Sequence, residues 1–214
     1  AINLCLLISV NDHIFDNTYF SVDMIGRSNF TFPYFDGGLS ISRASRTFPQ
    51  YLIFKPAMSV TSILLCFYWY KNNILINRFK NTKLKKNAFM IFGILSALFL
   101  LIHSILLGLE TDVKIFKFLR RVVLLSFIIF EIIAQSLLVV NFYKLKIELT
   151  NYLNLNILKL KILLVSTLIF IAIISIPLLI MSGNVHFKHG LEWNYFIGVI
   201  LFYLLTRFFW KKNF

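Results

Sequence analysis

Five apolar stretches, each about long enough to cross a lipid bilayer, make up most of this chain of 214 residues. A transmembrane helix needs about 20 predominantly apolar residues, because each residue adds about 1.5 Å of rise. Lys, Arg or interfacial aromatic residues bound every stretch, as is typical of membrane spans. The pattern predicts spans at about residues 51–70, 88–109, 122–142, 162–181 and 191–210.

The composition supports a membrane protein. Hydrophobic residues account for 58% of the chain and charged residues for only 14%, against about 25% charged residues in soluble domains. The net charge of +13 comes from Lys and Arg at the ends of the apolar stretches, so lipid head groups are the expected counter-charge and nucleic acid is excluded as a partner. We therefore predict an all-α, polytopic transmembrane helix bundle that forms one domain.

The N-terminal region divides into two parts. Residues 1–10 are apolar but can cross only about half of a bilayer. We expect them to be the remnant of a truncated first transmembrane helix, giving six helices in the full protein; the core of a secretory signal is the alternative. Residues 11–50 are rich in turn formers and are expected to form a loop over the mouth of the bundle, which comprises residues 51–214.

The distribution of positive charge predicts the orientation. Segments 71–87 and 143–161 and the tail from Arg207 are the most basic connections, and such segments are retained in the cytosol. The C-terminus is then cytosolic and the loop at residues 11–50 luminal. Asn29 begins an Asn-Phe-Thr glycosylation sequon in that loop, which agrees with a luminal position.

Two ionisable residues lie inside predicted spans, where a charge costs about 2.5–3.5 kcal/mol or more. His103 and Glu131 lie on antiparallel neighbouring helices at similar depths, so we expect them to meet, with Gln135 one turn below Glu131. Such a pair could orient an imidazole for general-base catalysis. Alternatively, it is a polar contact that joins two helices, worth about 0.6 kcal/mol.

Basic residues also gather near the predicted luminal rim. Arg pairs with phosphate through two hydrogen bonds and Lys acts as a point charge, so a lipid-phosphate site is one interpretation; snorkelling to generic head groups is the other. The candidates for this site are Arg43, Arg46, Lys117, Arg120 and Arg121. His186 and His189 lack further ligands, and no phosphate-binding Gly loop or zinc-binding helix motif occurs, so no metal or cofactor is predicted.

Short motifs resemble one eukaryotic membrane family. Ser40-Ile41-Ser42 is followed by Pro49 and by Phe54, which opens a helix ending in Phe67-Tyr68-Trp69-Tyr70, and Leu191-Glu192-Trp193 opens the last span. These motifs are similar to those of the family that comprises the damage-regulated autophagy modulators (DRAM), the FGF-receptor-activating protein and the Golgi factor that remodels GPI-anchor lipids. The resemblance extends over nearly the whole chain in helix order.

The resemblance implies six transmembrane helices with cytosolic termini, a location in the Golgi, ER or another endomembrane, and action on lipid or GPI-anchor lipid in the luminal leaflet. The implied partners are membrane lipids and GPI-anchored substrates. Ser40, Ser42, Pro49 and Glu192 are the positions carried across, and Glu192 joins His103 and Glu131 as a candidate catalytic residue.

Two features depart from the family. Ala44-Ser45 replaces an expected Gly, and Lys117 or Arg120 lies where relatives place a His. A scaffold or regulator without chemistry therefore remains open, as does a subunit of a respiratory complex encoded by an organelle, which the composition alone suggests.

Overall fold

The computed structural model describes residues 1–11, 18–19, 31–79, 87–107, 114–181 and 183–211. Within these residues the chain forms seven helices and no strand. The helices are α1 (Ile2–Val10), α2 (Ile41–Ser45), α3 (Gln50–Phe79), α4 (Ala88–Leu106), α5 (Lys114–Lys144), α6 (Leu155–Ile180) and α7 (Val185–Phe209). The predicted all-α helix bundle is confirmed.

Four of the described helices are long and apolar enough to cross a membrane: α3, α4, residues Phe118–Lys144 of α5 and residues Leu155–Leu178 of α6. Their outer faces are apolar, as on α6, where Leu163 and Phe170 are each 64% exposed. A continuous apolar surface of this kind requires lipid or protein against it. The chain is thus an integral membrane protein.

α7 covers the fifth predicted span but is not one of these four helices. Its length is sufficient, at 25 residues, but its first turns are polar. The first turns of α7 contain five polar residues: His186, Lys188, His189, Glu192 and Asn194. Of these, His189, Glu192 and Asn194 contact the segment of residues 31–42.

Helices that follow one another in the chain pack side by side. α4 lies between α3 and α5, α6 packs on both α5 and α7, and α1 and α2 pack near the start of α3. Small residues allow the closest approaches: a Cβ added to Gly93 on α4 would lie 2.3 Å from the Trp69 ring, and one added to Gly198 would lie 2.6 Å from Leu168. Membrane helices commonly use small residues in this way.

The bundle has two ends, which we call the loop end and the basic end. The loop end carries residues 31–49 and the start of α7. The basic end carries residues 145–154 and residues 209–211. Two backbone hydrogen bonds join these segments: the Asn154 N–H donates to the Phe209 carbonyl at 2.9 Å, and the Lys211 N–H donates to the Tyr152 carbonyl at 2.9 Å. That the loop end is luminal stays a prediction.

Candidate functional site

A cavity of about 790 Å³, which we call the main cavity, lies between α3 and α7. One face of each helix lines it, at the spacing of three and four residues that places side chains in a single stripe. The stripe on α7 runs from Glu192 to Arg207, about 22 Å at 1.5 Å per residue, which is most of the hydrocarbon thickness of about 30 Å. The stripe on α3 is Phe54, Ala57, Met58, Thr61, Leu64, Leu65 and Tyr68.

The main cavity is apolar and opens sideways. α3 packs on α4 while α7 packs on α6, so a gap remains between α3 and α7. Leu64 and Leu204 line this gap, yet they are 61% and 55% exposed. A side opening in an apolar bundle faces the hydrocarbon of the bilayer. The volume lies within the range of about 300–1,000 Å³ that is typical of ligand sites.

His103, on α4, lines the main cavity and is only 4% exposed. Its Nδ1 atom has no hydrogen-bond partner among the described residues. Leaving a buried polar atom unpaired costs about 1–3 kcal/mol. A ligand in the cavity that supplied a donor or an acceptor to this nitrogen would recover part of that cost.

Glu192 lines the same cavity at the loop end. The backbone N–H groups of Ile41 and Ser42 donate to its carboxylate, where α2 begins after Ser40. The Ser40 hydroxyl caps that helix by accepting from the Arg43 N–H at 3.2 Å. Three of the positions carried over from the family resemblance, Ser40, Ser42 and Glu192, are therefore neighbours.

The loop before α2 lies directly on the first turns of α7. Trp193 Nε1 donates to the Leu39 carbonyl at 2.8 Å, and His189 Nδ1 donates to the Gly37 carbonyl at 3.0 Å. Gly37 has a φ of +60°, and a Cβ added to it would lie 1.8 Å from the His186 carbonyl oxygen. These contacts fix the polar start of α7 against the loop and so set the position of Glu192.

Asp36 holds the turn in this loop. Its carboxylate accepts hydrogen bonds from Thr31 Oγ1 at 2.7 Å, from the Phe32 N–H at 2.7 Å and from the Gly38 N–H at 2.8 Å. Desolvation opposes ionisation, but these three bonds together with the nearby His186 outweigh it and lower the pKa of Asp36. The turn is therefore built around an ionised carboxylate.

Glu131 does not meet His103. It is fully buried on α5 and accepts hydrogen bonds from Ser96 Oγ on α4 at 2.6 Å, from Gln135 Nε2 at 2.9 Å and from the Tyr203 hydroxyl on α7. The antiparallel register of α4 and α5 places Ser96 opposite Glu131. His103 lies two turns, about 10 Å, further along α4. Tyr203 lines the main cavity and links Glu131 to it indirectly.

The described side chains of the predicted rim site lie outside the lining of the main cavity. Arg43, Arg46, Arg120 and Arg121 do not line it, and the Arg120 guanidinium instead lies 5.7 Å from the Phe116 ring centroid. The side chain of Lys117 and all of Asn29 lie outside the described residues. The phosphate role of the rim residues and glycosylation at Asn29 stay predictions.

Sequence reasoning missed a second cavity of about 440 Å³ at the basic end. Its lining is Tyr68, Lys71, Asn72, Ile74, Leu75, Arg78, Thr206 and Trp210. Tyr68 and Thr206 line both cavities. One signal for it was present in the sequence: Lys71 and Arg78 are spaced by two turns and share a helix face with Tyr68.

Lys161 lies at the end of the basic segment 143–161, so the sequence pattern does not indicate that its side chain is buried. It is 1% exposed, and its Nζ donates to Thr206 Oγ1 at 2.7 Å. The same Nζ lies 4.2 Å from the Phe202 ring centroid and 4.8 Å from that of Phe209. Two aromatic rings and a hydroxyl thus solvate this amine in place of a carboxylate.

The fold and the groove between α3 and α7 define this chain as a polytopic helical membrane protein with a laterally open apolar cavity. No protein-family model, curated protein or solved structure matches it.

Proposed function

We propose that this protein binds a lipid, with an acyl chain in the main cavity and the polar part of the lipid beside His103 and Glu192. The observation that carries the proposal is the combination of a side opening, an apolar lining and a buried imidazole nitrogen, His103 Nδ1, without a hydrogen-bond partner among the described residues. An acyl chain can enter such a groove from the bilayer without crossing water.

The polar groups provide the selectivity in this proposal. A lipid chain is already in hydrocarbon before it binds, so the groove offers it packing but little hydrophobic gain. Hydrogen bonds that the glycerol or inositol hydroxyls of the lipid donate to His103 Nδ1 and Glu192, or that an ester oxygen accepts from His103, then distinguish one lipid from another. With the orientation predicted from the charges, these groups face the luminal leaflet.

The proposal extends to the lipid class through the family resemblance. Lipid or GPI-anchor lipid in an endomembrane is the substrate class that the resemblance to the DRAM and GPI-remodelling family implies. In a remodelling reaction His103 would act as the general base towards a lipid hydroxyl or a water molecule.

Filling the groove tests lipid binding. Ala57→Trp places a large ring in the main cavity, whereas Val60→Trp, one turn further along α3, places it on an outer face where Val60 is 55% exposed. Native mass spectrometry of the purified protein should show bound lipid in the wild type and in Val60→Trp but not in Ala57→Trp. Equal lipid occupancy in all three proteins would refute the proposal.

A non-enzymatic scaffold or regulator is the second candidate. It is favoured because the described lining of the main cavity includes no Ser or Cys nucleophile and because Glu131, fully buried, is occupied in joining three helices. His103→Leu separates the two candidates: a remodelling enzyme loses lipid turnover in reconstituted vesicles, and a scaffold retains its cellular activity. Lipid binding in the main cavity is compatible with both.

A further inference from the structure

The second cavity, which we call the basic-end cavity, has the chemistry of an anion site. Lys71 and Arg78 lie on one face of α3, two turns or about 10 Å apart. Both are exposed, and neither is paired with a carboxylate within the described part of the chain. Asn72 and the hydroxyls of Tyr68 and Thr206 also line the cavity and can add hydrogen bonds.

A third basic side chain lies beside Thr206, which lines both cavities. Lys161 Nζ contacts Thr206 Oγ1 at 2.7 Å without lining either cavity itself. No Asp or Glu lines the basic-end cavity as described. The local field therefore favours an anion, and phosphate matches both the guanidinium, which bonds it in a bidentate manner, and the lysine point charge.

The wall between the two cavities is thin. It consists of Tyr68 and Thr206, whose hydroxyl oxygens lie 3.4 Å apart. Rotation of either side chain would join the apolar groove to the basic-end cavity. A ligand with a phosphate at one end and a hydrocarbon chain at the other matches this arrangement, in which the basic-end cavity adjoins the apolar main cavity.

We propose that the basic-end cavity holds the phosphate of an anionic lipid whose acyl chain enters the main cavity past Tyr68 and Thr206. This inference rests on the proposed function, because it uses the same groove for the chain. It adds a head-group site at the opposite end from His103 and Glu192. Since lipids at both sites would use one groove for their chains, only one of two lipids can place its chain there at a time.

The test compares three ligands on the purified full chain in detergent micelles, by native mass spectrometry titration. Dioleoyl phosphatidic acid carries both phosphate and chains, dioleoylglycerol carries the chains alone, and glycerol 3-phosphate carries the phosphate alone. The test variant is Lys71→Gln with Arg78→Gln. The matched control is Lys144→Gln with Lys159→Gln, which removes two exposed charges at the same end outside both cavities.

We expect phosphatidic acid to bind about tenfold to a hundredfold more weakly to the test variant, since charge-assisted hydrogen bonds to the phosphate are lost. Its affinity for the control variant should change by no more than about twofold, as for other exposed charges. Dioleoylglycerol should bind equally to all three proteins. Lys71→Arg, which keeps the charge, should retain phosphatidic acid binding if the site is as described.

An equal loss of phosphatidic acid binding in the control variant would overturn the site, because general charge would then explain the affinity. Glycerol 3-phosphate that binds as tightly as the lipid would overturn the link to the groove and identify a soluble phosphate ester as the ligand. Ala57→Trp, which fills the main cavity, separates the proposal of acyl-chain binding there from the proposal of phosphate binding in the basic-end cavity. If it leaves dioleoylglycerol binding unchanged while the test variant still loses phosphatidic acid, the main-cavity proposal fails and the anion site stands.

Discussion

Glu131 joins three helices through one carboxylate, so its substitutions should affect stability according to which hydrogen bonds survive. Leucine at this position leaves the Tyr203 hydroxyl and the Gln135 amide without this acceptor, whereas glutamine retains an acceptor oxygen for them. The Ser96 hydroxyl can still donate to the Gly93 carbonyl at 2.8 Å in either variant. We expect Glu131→Leu to lower the free energy of unfolding by about 1–3 kcal/mol and Glu131→Gln to cost clearly less. Thermal unfolding in detergent measures both, and equal melting temperatures for the two variants would contradict the cross-linking role.

Replacing Lys161 is predicted not to destabilise the protein, in contrast to replacing Glu131. Its amine is buried without a carboxylate, and Thr206 would remain satisfied after its loss, since the Thr206 hydroxyl donates to the Phe202 carbonyl at 3.2 Å. Replacing a buried charge with a well-packed apolar side chain is often neutral or stabilising. Lys161→Met should therefore unfold at the same temperature as the wild type or higher, and a large decrease would show that the cation is needed for folding.

At the scale of elements, the stability of the turn around Asp36 should depend on pH. Its pKa is lowered in the folded protein, so the stabilisation is present at neutral pH and is lost as the pH falls through that lowered pKa, below the ordinary value of about 3.9. Hydrogen exchange at the Phe32 and Gly38 amides should accelerate in this acidic window. In Asp36→Asn the two amides should exchange faster at neutral pH, without this acid-dependent step.

Gly37 is predicted to be essential for docking the loop on α7. Gly37 and Gly183 both have positive φ values, +60° and +98°, but only Gly37 has a neighbour that a Cβ would strike, the His186 carbonyl. Gly183→Ala should cost only the backbone strain of about 1–2 kcal/mol. Gly37→Ala should cost more and should increase hydrogen exchange across residues 31–40. Equal effects of the two alanines would mean that the loop is not held against α7 as described.

Helix positions were more predictable than the contacts between helices. Hydropathy located the apolar centres of α3 to α7, but α3 continues to Phe79 and α5 begins at Lys114, because polar residues extend a helix without an apolar signal. α2, with five residues, has no periodicity that would reveal it. His103 and Glu131 were identified as buried ionisable residues, but their pairing was wrong because side-chain packing, such as Gly93 against Trp69, sets the register of the helices.

At the scale of the whole molecule, the orientation in the membrane decides which leaflet supplies each ligand. The basic end carries Lys71, Arg78 and Lys211, and the positive-inside rule predicts a cytosolic position for it. In this predicted orientation the loop end, with His103 and Glu192, would face the lumen. An anionic lipid of the cytosolic leaflet would reach the basic-end cavity, and a luminal lipid would reach His103.

This orientation predicts opposite accessibility for two residues that lie outside the described part of the structure, Lys83 and Asn29. In sealed microsomes a cysteine at position 83 should react with an impermeant maleimide, while Asn29 should carry a glycan that a glycosidase removes only after the membrane is opened. Asn29→Gln is the control for the glycan. Finding both residues on the same side would invert or break the topology, and the two head-group sites would then have to be reassigned to the other leaflets.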